Sequence, residues 1–379
     1  MAFETERPTW AEIDLGALAE NFRRVRESVG RGVEVMAVVK ADAYGHGAAR
    51  CARRLEEEGA RWFGVATPEE GFALRAAGVR GRVLSFGGFW EGQAAECLMR
   101  GVAPVIYRLD MAEALDRAAL GAGAVAAAHV KIDTGMGRLG VRFDEAAEFA
   151  EALRSFPNVR VEGLMTHFAA ADEPQRDCFT QEQLKRFREA EAAFKEKGIR
   201  PDFIHTANSA ATLAHPEARG NMVRPGGVLY GLWRDVLPPG IERPELRPVM
   251  AVRSRVILLK RVHRGETLGY GCTYEAAREM VVATVPAGYA DGYARALSNR
   301  GRVVVRGQFA PVVGRVSMDL TLLDVTDVPG VSVGDVVTLV GSDGRLAVPA
   351  EDVARTAGTL SYEITCGISS RVRREHVDG

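Results

Sequence analysis

Cysteine is scarce in this chain: there are five in 379 residues. Cys51, Cys97, Cys178, Cys272 and Cys366 lie far apart, are odd in number and form no Cys-x-x-Cys. That excludes a disulfide framework and argues against a zinc site, so no metal is expected, and it fits a reducing compartment. An excess of one charge is missing too. The 49 basic and 50 acidic residues leave a net charge of -1, which gives no footprint for nucleic acid or an anionic membrane. No apolar run approaches the ~20 residues of a membrane helix. The start, Met-Ala-Phe-Glu-Thr-Glu-Arg-Pro8, lacks the apolar core of a signal peptide. Internal repeats, low-complexity tracts and long linkers are absent as well. Together these absences predict a soluble, cytoplasmic protein.

What is present is a globular balance, 47% hydrophobic and 26% charged, in a chain long enough for a large domain and a smaller one. Up to about residue 238, short apolar runs alternate with helical segments. The strand candidates are Val33–Val39, Trp62–Ala66, Arg82–Phe86, Val102–Ile106, Ala127–Ile132, Val159–Met165, Asp202–His205 and Asn221–Val223. Thr67-Pro-Glu-Glu70 between them offers a helix N-cap, a proline at the first position and acids in the first turn. Eight strands alternating with helices predict an α/β fold, an N-terminal (β/α)8 barrel. After Pro238-Pro-Gly240 the texture changes to short β-branched runs broken by glycine and proline, with a helix only near Ala350–Ala357. That predicts a C-terminal, mostly β domain. The boundaries are read as 12–238 for the barrel, with 1–11 and 239–379 in the β domain.

Polar residues gather where the barrel strands end, the face on which this fold builds its sites. Lys40 follows the apolar run Val33–Val39. A buried lysine loses its proton more easily and presents a free amine, as a Schiff-base lysine must. Lys131 and Asp133 end the fifth run, Thr166 and His167 the sixth. His205, Asn208 and Ser209 follow the seventh; Arg224, Gly226 and Gly227 follow the eighth. Ser209 and the bare amides of Gly226 and Gly227 suit a phosphate in the loops that usually bind one. An amine at the first strand and a phosphate cradle at the last two describe a pyridoxal 5'-phosphate (PLP) pocket. His205 reads as a structural partner rather than a catalyst. His129, His215, His263 and His376 have no such context.

The segment Val39-Lys-Ala-Asp-Ala-Tyr-Gly-His-Gly47 resembles the PLP attachment motif of alanine racemases. The resemblance continues through Lys131-Ile-Asp-Thr-Gly-Met-Gly-Arg-Leu-Gly140, Thr166-His-Phe168, His205-Thr-Ala-Asn-Ser209 and Asn221-Met-Val-Arg-Pro-Gly226. It extends into Gly269-Tyr-Gly-Cys-Thr-Tyr274, Gly288-Tyr-Ala-Asp-Gly292 and Gly314-Arg-Val-Ser-Met-Asp319. It implies a barrel plus a β domain, with a first strand within Trp10–Leu15 belonging to the β domain. It also implies a homodimer with shared active sites, PLP as cofactor, an amino-acid substrate, and interconversion of L- and D-alanine that supplies D-alanine for peptidoglycan.

The resemblance assigns roles residue by residue. Lys40 carries the cofactor and serves as one base. Tyr270, from the other subunit, is the opposing base, because inversion needs proton delivery to both faces. A phenol with an ordinary pKa of ~10 is a poor base, and His167 and Arg224 match the network that supplies it with a cationic neighbourhood. Arg224 also faces the pyridine nitrogen and, as a permanent cation, takes no proton from it. Arg138 and the Met318 amide match the substrate-carboxylate contacts. Tyr44, Asn208, Ser209, Gly226 and Gly227 match the cofactor side, and Lys131 matches a lysine often carbamylated to brace the arginine. The family's tyrosine near the C-terminus aligns with Ser370, in Cys366-Gly-Ile-Ser-Ser370-Arg. This leaves either a lost phosphate hydroxyl or a serine contact through water, and bears on how strictly alanine is preferred.

Rival readings are a serine or broad-specificity racemase of the same fold, a decarboxylase, and a single-barrel PLP-binding protein without turnover. Arg224 disfavours the decarboxylase. The second domain disfavours the non-catalytic barrel.

Overall fold

The computed structural model describes residues 7–378; residues 1–6, assigned above to the β domain, lie outside it. Strand β1 (Thr9–Asp14) comes first. Asp14 then caps the helix Leu15–Val29 by accepting from the Ala17 amide at 2.7 Å. Parallel strands follow: β2 (Glu34–Val38), β3 (Trp62–Val65), β4 (Arg82–Ser85), β5 (Val102–Ile106), β6 (Ala126–Asp133), the two-residue β7 (Val141–Arg142), β8 (Val159–Met165), β9 (Phe203–His205) and β10 (Met222–Val223). Apart from β7, which pairs with β6, they run in the order β10-β2-β3-β4-β5-β6-β8-β9. Two backbone bonds close the ring, Asn221 N to Ile204 O at 3.1 Å and Arg224 N to Ala207 O at 3.0 Å.

The barrel follows from its local chemistry. β3 reads Trp-Phe-Gly-Val and all four residues are buried, as a strand covered on both faces requires. Thr67 then caps the helix Pro68–Ala76, with proline and two acids in its first turn. Met36, Trp62, Leu84, Val105, Met165 and Met222 form one buried cluster contributed by six strands.

The remaining strands are β11 (Met250–Arg255), β12 (Leu258–Val262), β13 (Thr267–Leu268), β14 (Tyr274–Glu275), β15 (Met280–Val285), β16 (Arg302–Val305), β17 (Gln308–Pro311), β18 (Thr321–Asp324), β19 (Val336–Asp343), β20 (Leu346–Val348) and β21 (Arg373–Val377). They form a mostly β body around the sheet β17-β16-β19-β11-β1-β21. β1 lies between β11 and β21 through Asp14, so the chain leaves this sheet for the barrel at Leu15. The stretch Met250–Val262 forms two strands, β11 and β12, in different sheets. A second helix, Ser361–Gly367, and β21 were not anticipated from sequence. They matter because both reach back to the barrel.

Candidate active site

The carboxyl ends of the barrel strands surround a cavity of about 400 Å³. Lys40, Tyr44, Lys131, Arg138, His167, Asn208, Ser209, Arg224, Gly226 and Tyr362 are on its wall. Gly226 on the wall and its neighbour Gly227 are explained by tyrosines. A Cβ on Gly226 would lie 2.3 Å from the Tyr44 hydroxyl, and one on Gly227 would lie 2.5 Å from the Tyr362 hydroxyl. The two tyrosine rings are 5.3 Å apart. Burial raises both phenols above their usual value, so each keeps its proton and can donate it in a hydrogen bond.

Tyr362 corrects one expectation. Ser370 is exposed and absent from the cavity wall, while Tyr362, eight positions earlier on the helix Ser361–Gly367, brings an aromatic hydroxyl beside the glycine pair. The pocket is not short of a hydroxyl. The residue was missed because the helix carrying it was missed.

β2 ends at Val38, so Lys40 stands two residues beyond the strand and opens a tight turn. Ala41, Asp42, Ala43 and Tyr44 all have φ of 52–55° and ψ of 36–50°. Four consecutive left-handed residues without a glycine are costly, about 1–2 kcal/mol each. Such a segment persists only where its surroundings determine it, and such strain gathers at functional sites. The turn carries both Lys40 and Tyr44 to the cavity. Burial lowers the Lys40 pKa, and the Arg138 charge adds to this against the opposing charges of Glu70 and Cys366.

Arg224 is 4% exposed. One Nη accepts nothing and donates to Thr166 O at 2.6 Å and Thr206 O at 3.1 Å; the other donates to the His205 carbonyl and to His205 Nδ1 at 3.1 Å. Nε has no partner among the described residues. Burial pushes the guanidinium down to about 9, so it remains a cation at neutral pH. Because arginine can only donate, His205 Nδ1 must accept and its proton sits on Nε2. That proton is donated to His129 Nδ1 at 2.7 Å. His129 Nε2 then faces Glu162 Oε2 at 3.5 Å, long for a hydrogen bond, and Glu162 pairs with Arg82. Burial would raise the Glu162 pKa, yet His129 and Arg82 hold it at about 2. Burial keeps both histidines neutral. Gly163 leaves room for this row, since a Cβ there would lie 2.2 Å from His129 Nδ1. His205 is therefore a structural partner of Arg224. His129, without context in the sequence, is the next member of the row.

The cations around the cavity act on one another. Lys131 is 5% exposed, and burial followed by the charges of Arg138 and Arg224 pushes it down to about 8. Asp133 is not its ion-pair partner. The Asp133 carboxylate accepts from the Gly135 amide at 2.9 Å and the Gly137 amide at 3.1 Å, shaping the loop that leads to Arg138. His167 is driven well below its ordinary value by burial and by Arg224, Lys131, Arg138 and Lys40. His167 is thus kept uncharged, and the arginines carry the positive charge beside it. Asn208 lines the cavity, but its Oδ1 caps the helix Ser209–Ala214 at 3.0 Å from the Ala211 amide. Ser209 Oγ accepts from the Gly226 amide at 2.9 Å.

Tyr270 and Met318 are not in this cavity. Tyr270 lies between β13 and β14 and is 72% exposed; Met318, between β17 and β18, is 52% exposed. No helix among the described residues is long and apolar enough to cross a membrane.

Two family models match the chain, that of the alanine racemase N-terminal domain over residues 13–233 and that of the C-terminal domain over 249–376. An alanine racemase of Geobacter sulfurreducens is 46% identical over 377 residues, covering 98% of each chain. One from Halothermothrix orenii is 44% identical, covering 98% of this chain and 97% of the relative. Among solved structures, alanine racemase from Streptomyces lavendulae superposes with a TM-score of 0.92 at 38% identity, covering 99% and 98% of the two chains. That from Bartonella henselae, with covalently bound pyridoxal phosphate, superposes at 0.87 and 29% identity, covering 98% and 99%. With both domain models matched and near-complete coverage at these identities, this chain belongs to the alanine racemase family.

Proposed function

We propose that this alanine racemase holds pyridoxal 5'-phosphate on Lys40 and works by two bases, one from each subunit of a homodimer. The observation that carries the reading is the chemistry of the cavity wall. Lys40, Lys131, Arg138 and Arg224 meet there against two carboxylates, Asp172 and Asp235, an excess of basic groups that calls for anions. A phosphate and a substrate carboxylate are two such anions. The hydroxyls of Tyr44, Tyr362 and Ser209 and the amide of Gly227 would hold the phosphate, with the Gly226 amide holding the Ser209 hydroxyl in place. The unpartnered Nε of Arg224 would meet the pyridine nitrogen as a donor that cannot be protonated further.

When bound, the cofactor supplies an electron sink that acidifies the substrate α-proton. The protein does the rest. Burial lowers the Lys40 pKa and so makes its amine easier to free, which suits a group that holds the cofactor and then takes or returns a proton on one face. Arg138, on the wall beside it, is placed to bind the carboxylate. The neutral histidines His205 and His129 keep Arg224 oriented without adding a second positive charge beside it.

The opposite face needs a group this cavity does not contain. The strong exposure of Tyr270 and Met318 supports their service to a neighbouring subunit, Tyr270 as the second base and the Met318 amide as a carboxylate donor. Lys131 is proposed as a carbamate. Its lowered pKa favours the free amine that attacks carbon dioxide and releases a proton, and the resulting anion would brace Arg138. A cytoplasmic location and a role in supplying D-alanine to the cell wall complete the proposal. The test is borohydride reduction of the holoenzyme followed by peptide mapping, with chiral analysis of L-alanine and L-serine turnover. A pyridoxyl label on Lys40 and racemisation of alanine are expected. A label on any other lysine defeats the assignment.

A further inference from the structure

The left-handed turn that carries Lys40 and Tyr44 raises a question the reaction itself does not answer: what keeps it in that shape. On the barrel side the answer converges on Glu70. This residue is the third of the helix Pro68–Ala76, capped by Thr67. In a capping box, a glutamate at this place turns back to the amide of the capping residue. Glu70 does not. Its Oε2 accepts from the Ala66 amide at 2.7 Å, and its Oε1 accepts from the Ala41 amide at 2.7 Å. Ala66 follows β3, and Ala41 is the first left-handed residue after β2. One carboxylate thus ties the ends of two neighbouring strands and fixes where the turn begins.

The other end of the turn is held differently. His46 Nδ1 donates to Ala43 O at 2.8 Å and Tyr44 O at 3.0 Å, the carbonyls of the last two left-handed residues. Two carbonyl acceptors require the proton on Nδ1. His46 Nε2 is therefore bare, buried and unpartnered among the described residues, with the ring 4.6 Å from that of Tyr230. From β21, Arg374 Nε donates to Gly45 O at 3.1 Å, and His376 Nε2 meets His46 O at 3.0 Å. Gly45 and Gly47 let β21 and its approach come this close, since a Cβ on either would strike Thr365 O or the His376 ring.

We propose that Glu70 is a positioning residue for racemisation, setting the start of the turn so that Lys40 and Tyr44 enter the cavity together, with His46 locking its end. The proposal rests on Lys40 as the cofactor lysine. Glu70 acts through the backbone, and the mixed donor and acceptor ends of an amide cannot replace it: in Glu70→Gln one N–H would face an NH₂ group.

Amide hydrogen exchange on the Glu70→Gln holoenzyme tests this, together with cofactor equilibrium binding and steady-state kinetics. Exchange at Ala41–Tyr44 should quicken by at least about tenfold, the equivalent of one lost hydrogen bond, with the helix Ala48–Glu57 unchanged. The cofactor dissociation constant should rise by a similar factor. A small misplacement of the reacting amine should lower kcat by about 100-fold, with KM for alanine changing far less. Unaltered exchange in the turn, or uniform acceleration over the whole barrel, overturns the proposal. If Glu70→Gln does not fold, Glu70→Asp keeps the charge and shortens the reach. It must show the same local pattern, and its absence overturns the proposal equally. A borohydride label away from Lys40 would instead defeat the reading beneath it, a different result from unchanged exchange.

Discussion

The barrel's share of the site and the β body's share are built in opposite ways. On the barrel, Lys131, His205 and Arg224 are enclosed and conditioned by their neighbours. Lys131 is held near 8 and Arg224 near 9, and His167 and His205 are kept neutral, all chiefly by burial. On the β body, Tyr270 and Met318 stand largely bare. An enclosed half can tune pKa values because low polarity magnifies each charge. A bare half can do so only after another surface covers it. On the proposed two-subunit reading, the difference teaches that one chain holds a conditioned half-site and presents the other half outward.

The largest effect should come from separating the halves. Lys40→Ala and Tyr270→Phe homodimers should each lose about 10²–10⁴ in kcat, the range of a missing acid–base group. Mixing the two variants under subunit exchange should restore about a quarter of the wild-type activity. Half of randomly paired dimers are mixed, and a two-fold pair leaves one of its two sites intact. No recovery, with exchange verified by mass, would mean that Tyr270 serves its own barrel or is not the base.

A smaller effect should come from Tyr362, the tyrosine that reaches the cavity from the C-terminal body. Tyr362→Phe should weaken PLP binding by about three- to tenfold, as expected for one hydrogen bond. Ser370→Tyr should leave it unchanged, because Ser370 is exposed away from the cavity. Equilibrium titration of the apoenzyme measures both, and the reverse ranking would restore Ser370 to the phosphate site.

The last effect is on stability rather than on the site and concerns the enclosed His46. His46 is pushed from 6.5 to about 4 by burial, despite its backbone hydrogen bonds. Its folded pKa lies below the unfolded one, so the unfolded chain binds the proton first as pH falls. The stability is thus complete above about pH 6.5 and declines below it, by about 2 kcal/mol at pH 5 for this one group. Denaturant midpoints at pH 8 and pH 5 should show the loss, and His46→Gln should flatten it. An equal loss in that variant would assign the acid sensitivity elsewhere.

How much of this was legible beforehand depends on the range of the interaction. The eight apolar runs were legible because a strand covered on both faces must be apolar throughout. The polar residues after them were legible because they break that pattern at the strand ends. Tyr362 was not, since its partners, Gly227 and Tyr44, lie more than a hundred residues away in the chain. The left-handed turn was not either: Ala-Asp-Ala-Tyr has no glycine to announce it, and local preference opposes it.

The sequence by itself determined the alternating elements, the change of texture near residue 238 and the family, through motifs whose residues are contiguous. Only the tertiary structure decided which strand joins which sheet, so that β1 lies in the β body, and which tyrosine faces the cavity. It alone decided which nitrogen of His205 bears the proton and that His167 is uncharged. The reason is physical. Backbone preference and apolar periodicity act over a few neighbouring residues, whereas desolvation, charge and hydrogen-bond polarity act through space between groups that only the closed barrel brings together.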